Sequence, residues 1–191
     1  MAVKFVVFAS GSGSNFEALV KATQTGLLDA HCVGLIVDRA DAYAIKRAHQ
    51  LKIPVCLYLK TWYKDKEAME SAMLEQIVNW NADWIVCAGY MRIIGHTLLD
   101  AFPDRIVNIH PSLLPKYRGK DALGQALDAK DTLLGMSVHF VDNGLDTGPI
   151  INQLSFTIEG SEARSDVEAQ LHALEHSFYP KVLQKLWEEK S

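Results

Sequence analysis

A chain of 191 residues, 49 % hydrophobic and 22 % charged, has room for one sizeable core and little for a second. Its formal net charge of -4 supplies no basic field for a polyphosphate, which argues against nucleic acid and leaves any anionic ligand to a local site. No apolar run reaches the roughly 18–20 residues that span a bilayer, and "MAVKFVVFAS" leads into a glycine-serine turn and not a signal-peptide pattern, so the expectation is a cytoplasmic protein without a membrane partner.

The first half alternates short apolar runs with amphipathic segments: "KFVVFA", a helix from about Phe16, "CVGLIVD", a helix from about Tyr43, then "IPVCLYL". A longer helical pattern follows over 64–80, where Met69, Met73 or Ala72, Ile77 and Trp80 recur at three- and four-residue spacing, and "WIVCAG" reads as a fourth strand. Strands that are apolar throughout, without alternation, are covered on both faces, which is the signature of a parallel sheet between helices. "RIVNIH" makes a fifth strand, "MSVHFV" and "IINQLSFTI" two more across the turn-rich "DNGLDTGP", and a helix from about Ser165 closes the chain. The stretch "YRGKDALGQALDAKDT" reads as a loop running into a short helix. The expected fold is thus α/β, a doubly wound and mostly parallel sheet flanked by helices, with an antiparallel C-terminal strand. Cys32, Cys56 and Cys87 lie in apolar stretches without metal-ligand spacing and read as reduced core residues.

"FASGSGSNFEAL" places a glycine-serine turn between the first strand and the first helix. Gly11 and Gly13 permit positive φ and close approach of a ligand to the backbone, while Ser14 or Asn15 would cap the helix and leave N–H groups pointing outward as an anion site. A dinucleotide fingerprint with Asp38 as the ribose acid is a poor fit, because Phe16 fills the third glycine position; a P-loop is excluded by the lack of a following GK[ST]. One phosphate monoester suits the loop better, and a turn that binds nothing stays open as the alternative.

In "VNIHPSLLPKYRG", Asn108 and His110 stand two apart on a strand and so project to one face, with Ile109 opposed. Pro111 keeps His110 extended and ends the ladder, placing the pair at the carboxyl edge of the sheet, where open α/β folds bind ligands. An amide donor beside an imidazole suits chemistry in which charge develops on a carbonyl oxygen. The other reading is a satisfied structural histidine and a turn-forming asparagine. Asp146, in the Gly-rich turn of "FVDNGLDTGPI", would favour the His110 imidazolium if the two lie close, or would serve only as an Asx-turn residue. His139, His172 and His176 read as packing or surface residues.

Taken in order, "GSGSN", "AGYMRI", "NIHPSLLPKYRG", "SVHFV", "LDTGP" and "EHSFYP" resemble the phosphoribosylglycinamide formyltransferase family of the folate-dependent formyltransferases, from the first strand to the last helix. The resemblance implies a single Rossmann-like formyltransferase domain over 1–191, with 1–100 as a phosphate-binding half and 101–191 as a catalytic and folate-binding half. It implies transfer of formyl from 10-formyltetrahydrofolate to the glycine amine of glycinamide ribonucleotide in purine synthesis, with no metal. By motif, Asn108 and His110 would stabilise the tetrahedral oxyanion and Asp146 would assist. Gly13, Ser14 and Asn15 would hold the 5′-phosphate and Glu175 the ribose hydroxyls. Met91, Arg92, Ile93 and Ile94 would line one wall of the folate pocket and Val141 and Asp142 the other, with Lys66 toward the folate tail. A monomer or homodimer is expected.

Two departures from the family pattern stand out. The family carries a histidine in the loop after the "KY.G" glycine where this chain has Leu123, and "DNG" replaces a more acidic turn before Asp146. Methionyl-tRNA formyltransferases share "SLLP" but carry a further C-terminal domain, and formyltetrahydrofolate hydrolases an N-terminal regulatory one; neither is expected of a chain spanning this length. The alternatives are a formylfolate hydrolase, a transferase for another amine, and a nucleotide-binding module without catalysis. The last is disfavoured by the presence of all three of Asn108, His110 and Asp146.

Overall fold

The computed structural model describes residues 2–190. Seven strands form one sheet in the order β3-β2-β1-β4-β5-β6-β7. They are β1 (Val3–Ala9), β2 (Ala30–Val37), β3 (Val55–Leu57), β4 (Trp84–Cys87), β5 (Ile106–His110), β6 (Leu133–Phe140) and β7 (Ile150–Thr157). The helices are α1 (Ser14–Gln24), α2 (Ala44–Leu51), α3 (Lys66–Asn79), α4 (His96–Ala101), α5 (Ala122–Asp128) and α6 (Arg164–Glu189). Strands β1 to β5 run parallel. Strand β6 runs antiparallel to both β5 and β7, so the reversed strand is the penultimate one and the edge strand β7 points the same way as the parallel five.

Both faces of the parallel region are covered, as the uninterrupted apolar strands require. Phe5, Val7 and Ala9 of β1 pack with α1, α2 and α6, whereas Val6 and Phe8 pack under α3 and α4. The three- and four-residue spacing in α3 buries Met69, Met73 and Ile77 in that second layer, and Asp65 caps the helix by accepting from the Ala68 N–H at 2.8 Å. Helix α4 is too short to leave a periodic signal in the sequence; it seats Leu98 in the same layer. Burial pushes the Cys87 thiol up to about 12, in keeping with an inert core cysteine.

Strand order reverses direction at β1: the chain leaves it toward β2 on one side, and β4 pairs on the other. The loops after β1 and β4 therefore diverge and open a crevice at the carboxyl edge. Two bonds hold its floor: Ser10 N–H to Gly89 O at 3.0 Å and Met91 N–H to Ser10 Oγ at 2.9 Å.

Gly13, not Ser14 or Asn15, occupies the cap position of α1, with φ 72° and no side-chain cap bond. A Cβ there would lie 2.6 Å from Ala44 Cβ, so glycine is demanded by the approach of α2 as well as by its backbone angle.

Candidate active site

The crevice widens into a cleft of about 720 Å³ bounded by the β4–α4 loop, the end of β5, the β6–β7 turn, the loop before α5 and the first half of α6. That volume suits an organic ligand of moderate size. Its two ends differ in character.

One end is apolar. Met91 and Ile93 are 64 % and 52 % exposed, Ile94 is buried beneath them, and Val141, Asp142 and Leu145 face them from the β6–β7 side. Arg92 lines the same wall but its guanidinium is spent on buried Asp38, at 2.6 Å. Asp38 itself is buried and does not line the cleft. Asp142 braces its own turn by accepting from Gly144 N–H at 3.0 Å and Thr147 Oγ at 2.7 Å. Asp142 thus holds together the "DNG" turn that departs from the family pattern. Lys66 does not line the cleft; its ammonium lies 3.6 Å from Glu70, whose carboxylate accepts the Gly95 N–H, so it is bound to the junction of α3 and α4.

The other end is polar. Asn15 donates from Nδ2 to Glu175 Oε2 at 2.9 Å, joining α1 to α6 across 160 residues of sequence. Glu175 is 3 % exposed and accepts a second bond from His172 Nδ1 at 3.0 Å. That bond raises the His172 imidazole above its ordinary range, against the opposing effect of its partial burial. Gly13 and Ser14, at the cap and first position of α1, are outside the cleft lining that Asn15 joins. At the opening of α1 the first-turn N–H groups, without intrahelical partners, face away from the helix and favour an anion.

Between the two ends lies the polar centre. His110, at the last position of β5, is 5 % exposed and places Nδ1 at 3.4 Å from Asp146 Oδ2 while Nε2 donates to the Tyr117 carbonyl at 2.8 Å. A carbonyl only accepts, so that bond settles Nε2 as a donor and leaves Nδ1 as the nitrogen that exchanges a proton with Asp146 or with a ligand. Asp146 sits at φ 53°, in the left-handed region, and receives the Gly119 N–H at 2.8 Å. Asn108 reaches the same centre through His139: its Nδ2 lies 3.2 Å from His139 Nε2, and His139 Nδ1 donates to Phe140 O at 2.8 Å. Burial lowers the His139 imidazole, the bond to Phe140 and the Asp146 charge opposing it, so a neutral ring accepts one Asn108 hydrogen and leaves the other for a ligand.

His139 and His172, for which packing or surface roles are expected from sequence, line the cleft and meet Asn108 and Glu175 there. His139 is directly opposite Asn108 in the antiparallel ladder, and such partners share a face; that register exists only once β5 and β6 pair. His172 was legible, since it precedes Glu175 by three residues and so shares its helical face. Leu123, at the position of the family histidine, is the second residue of α5, buried against the core at the lining of the cleft. His176 stacks on His172 with ring centroids 6.3 Å apart. Among the described residues, no three or more His, Cys, Asp or Glu side chains are grouped to hold a metal ion.

An open α/β sheet whose switch-point cleft presents an amide, an imidazole and a carboxylate between an apolar wall and an anion-favouring helix end is equipped for one class of chemistry, that of a carbonyl group on a bound small molecule. Comparison with known proteins narrows the class, for the chain belongs to the formyl transferase family, whose sequence profile matches residues 3–183. It is 45 % identical over 183 residues to phosphoribosylglycinamide formyltransferase of Bacillus subtilis (strain 168), covering 96 % of this chain and 94 % of that one. Identity to the enzyme of the same name from Escherichia coli (strain K12) is 34 % over 181 residues, 95 % of this chain and 85 % of that one. Among solved structures, glycinamide ribonucleotide transformylase 1 from Geobacillus kaustophilus superposes with a TM-score of 0.94 at 45 % identity, covering 97 % of this chain and 99 % of that one.

Proposed function

We propose that the protein transfers a formyl group from 10-formyltetrahydrofolate to the glycine amine of glycinamide ribonucleotide, a step of purine biosynthesis. The likeness to phosphoribosylglycinamide formyltransferases over nearly the whole chain supports the activity. The observation that carries the residue assignment is the His110–Asp146 pair at 3.4 Å, in the cleft between the apolar and polar ends, with Asn108 beside it.

The folate ring lies against Met91, Arg92, Ile93 and Ile94, with Val141 and Asp142 opposite. The ribonucleotide places its phosphate at the Gly13–Ser14–Asn15 turn and its ribose hydroxyls at Glu175. Its amine attacks the formyl carbon, and the carbonyl π pair becomes a tetrahedral oxyanion that receives hydrogen bonds from Asn108 Nδ2 and His110 Nδ1. Asp146 stabilises the His110 imidazolium and takes part in moving the proton lost by the attacking amine toward N10 of the folate. Collapse of the oxyanion breaks the carbon–N10 bond and releases tetrahydrofolate and the formylated ribonucleotide. Each substrate thus draws on both halves of a single domain, 1–100 and 101–191. The reaction is placed in the cytoplasm and is carried out by a monomer or homodimer; among the described residues no helix is long and apolar enough to cross a membrane.

A spectrophotometric assay for tetrahydrofolate release, run with and without the ribonucleotide, tests the reading. Turnover that depends on the ribonucleotide is expected. Equal turnover in its absence would replace the acceptor by water, and no turnover in either case would overturn the activity.

A further inference from the structure

The backbone of the loop between β5 and α5 holds both members of the central pair. Tyr117 O receives His110 Nε2–H and Gly119 N–H is given to Asp146. Three of the loop's residues, Tyr117, Gly119 and Asp121, have positive φ of 54°, 81° and 53°. For the two non-glycine residues that conformation is disfavoured and persists only where surrounding contacts impose it. At the start of the loop, Lys116 Nζ and Tyr117 Oη both reach Asp131, at 2.8 and 3.1 Å. In its middle, Gln125 Nε2 donates to the carbonyls of Arg118 and Lys120. At its end, Asp121 caps α5 through the Gly124 N–H and is gripped by Arg164, whose Nη2 lies 2.5 Å from Oδ1 and Nη1 3.4 Å from Oδ2. Arg164 is the first residue of α6, the helix that carries His172 and Glu175.

We propose that Asp121 and Arg164 are positioning residues: their ion pair ties the helix that receives the ribonucleotide to the loop whose backbone orients His110 and Asp146. The inference rests on the transferase reading for its kinetic consequence, though not for its structural one. A guanidinium fork on a carboxylate fixes direction as well as distance, so the pair sets how α6 and the loop face each other. Both side chains are about half exposed, which makes the pair a weak contributor to global stability and a local one to geometry. Loss of the pair frees Asp121 from one of the contacts that impose its strained angle, and the loop relaxes away from Gly119's bond to Asp146 two residues earlier.

The test uses Arg164→Gln, Arg164→Lys, Asp121→Asn, which keeps an oxygen for the Gly124 N–H, and the double variant Asp121→Asn/Arg164→Gln. In each, kcat and both KM values are measured beside hydrogen–deuterium exchange over residues 117–121. Each neutral single variant should lose about tenfold in kcat, with the formylfolate KM unchanged within about twofold. The double variant should be no slower than the slower single, Arg164→Lys, which keeps the charge without the fork, should recover only part of the loss, and exchange at Gly119 should accelerate in the neutral variants. Wild-type kcat in both singles, or losses that multiply in the double, would overturn the proposal. Should the wild type show no formyl transfer, the transferase reading fails alone, and the exchange data decide the pair: acceleration supports it and unchanged protection refutes it.

Discussion

Replacing Asp146 by Asn is the sharpest perturbation of the proposed mechanism, because it removes the charge facing His110 while keeping the side chain's shape and an oxygen for the Gly119 N–H. Two unit charges 3.4 Å apart, largely shielded from water, attract by about 5 kcal/mol at an effective dielectric of about 20. Only the part that grows between bound substrate and transition state changes kcat, and the Asn carbonyl dipole returns a share. A remainder of about 3–4 kcal/mol corresponds to a fall in kcat of about 10² to 10³. The assay is steady-state turnover at saturating formylfolate and ribonucleotide, with the melting temperature as a control for folding. The KM values should stay within about threefold, since the imidazolium that Asp146 stabilises forms only as the oxyanion does. A kcat within about threefold of wild type would refute the reasoning, and so would a loss that appears wholly in KM.

Other outcomes follow from the same geometry. Asn15→Ala and Glu175→Gln should each raise the ribonucleotide KM by about tenfold, and the double change should cost little more, because the two side chains share one bond; additive losses in a kinetic cycle would show that they act separately. Gly13→Ala puts a Cβ 2.6 Å from Ala44 Cβ at a φ of +72°. The clash and the strained angle together should cost about 3 kcal/mol and lower the melting temperature by about 6–12 °C, and a shift under about 2 °C would contradict the close approach. His172→Gln should destabilise the protein only on the acid side. The imidazole is raised in the fold by Glu175, so its contribution is fully present below the ordinary histidine value of about 6.5 and is lost as pH rises through the raised one. Melting curves at several pH values check the sign, and a gap between variant and wild type that widens with rising pH would oppose it.

Much of this protein is legible in local sequence. Period and burial obey near-neighbour rules, so the uninterrupted runs of β1, β2 and β4 announce a sheet covered on both faces, and the two-residue spacing of Asn108 and His110 puts them on one side of β5. Pro111 marks the carboxyl edge from its ring chemistry alone. Which residue meets which across the sheet is not a local property. The pairing of Asn108 with His139 depends on the β5–β6 register, the bond between Asn15 and Glu175 on how α6 lies across α1, and the two partners of the His110 ring on a loop that folds back after β5 for Nε2 and on the β6–β7 turn for Nδ1. Even the cap of α1 passed from Ser14 or Asn15 to Gly13, because α2 approaches too closely for a side chain. Composition, period and motif were enough to determine the kind of sheet and the carboxyl edge at which Asn108 and His110 stand. Tertiary packing alone decided their hydrogen-bond partners, because contacts between residues far apart in sequence form only when the whole sheet and its helices close together.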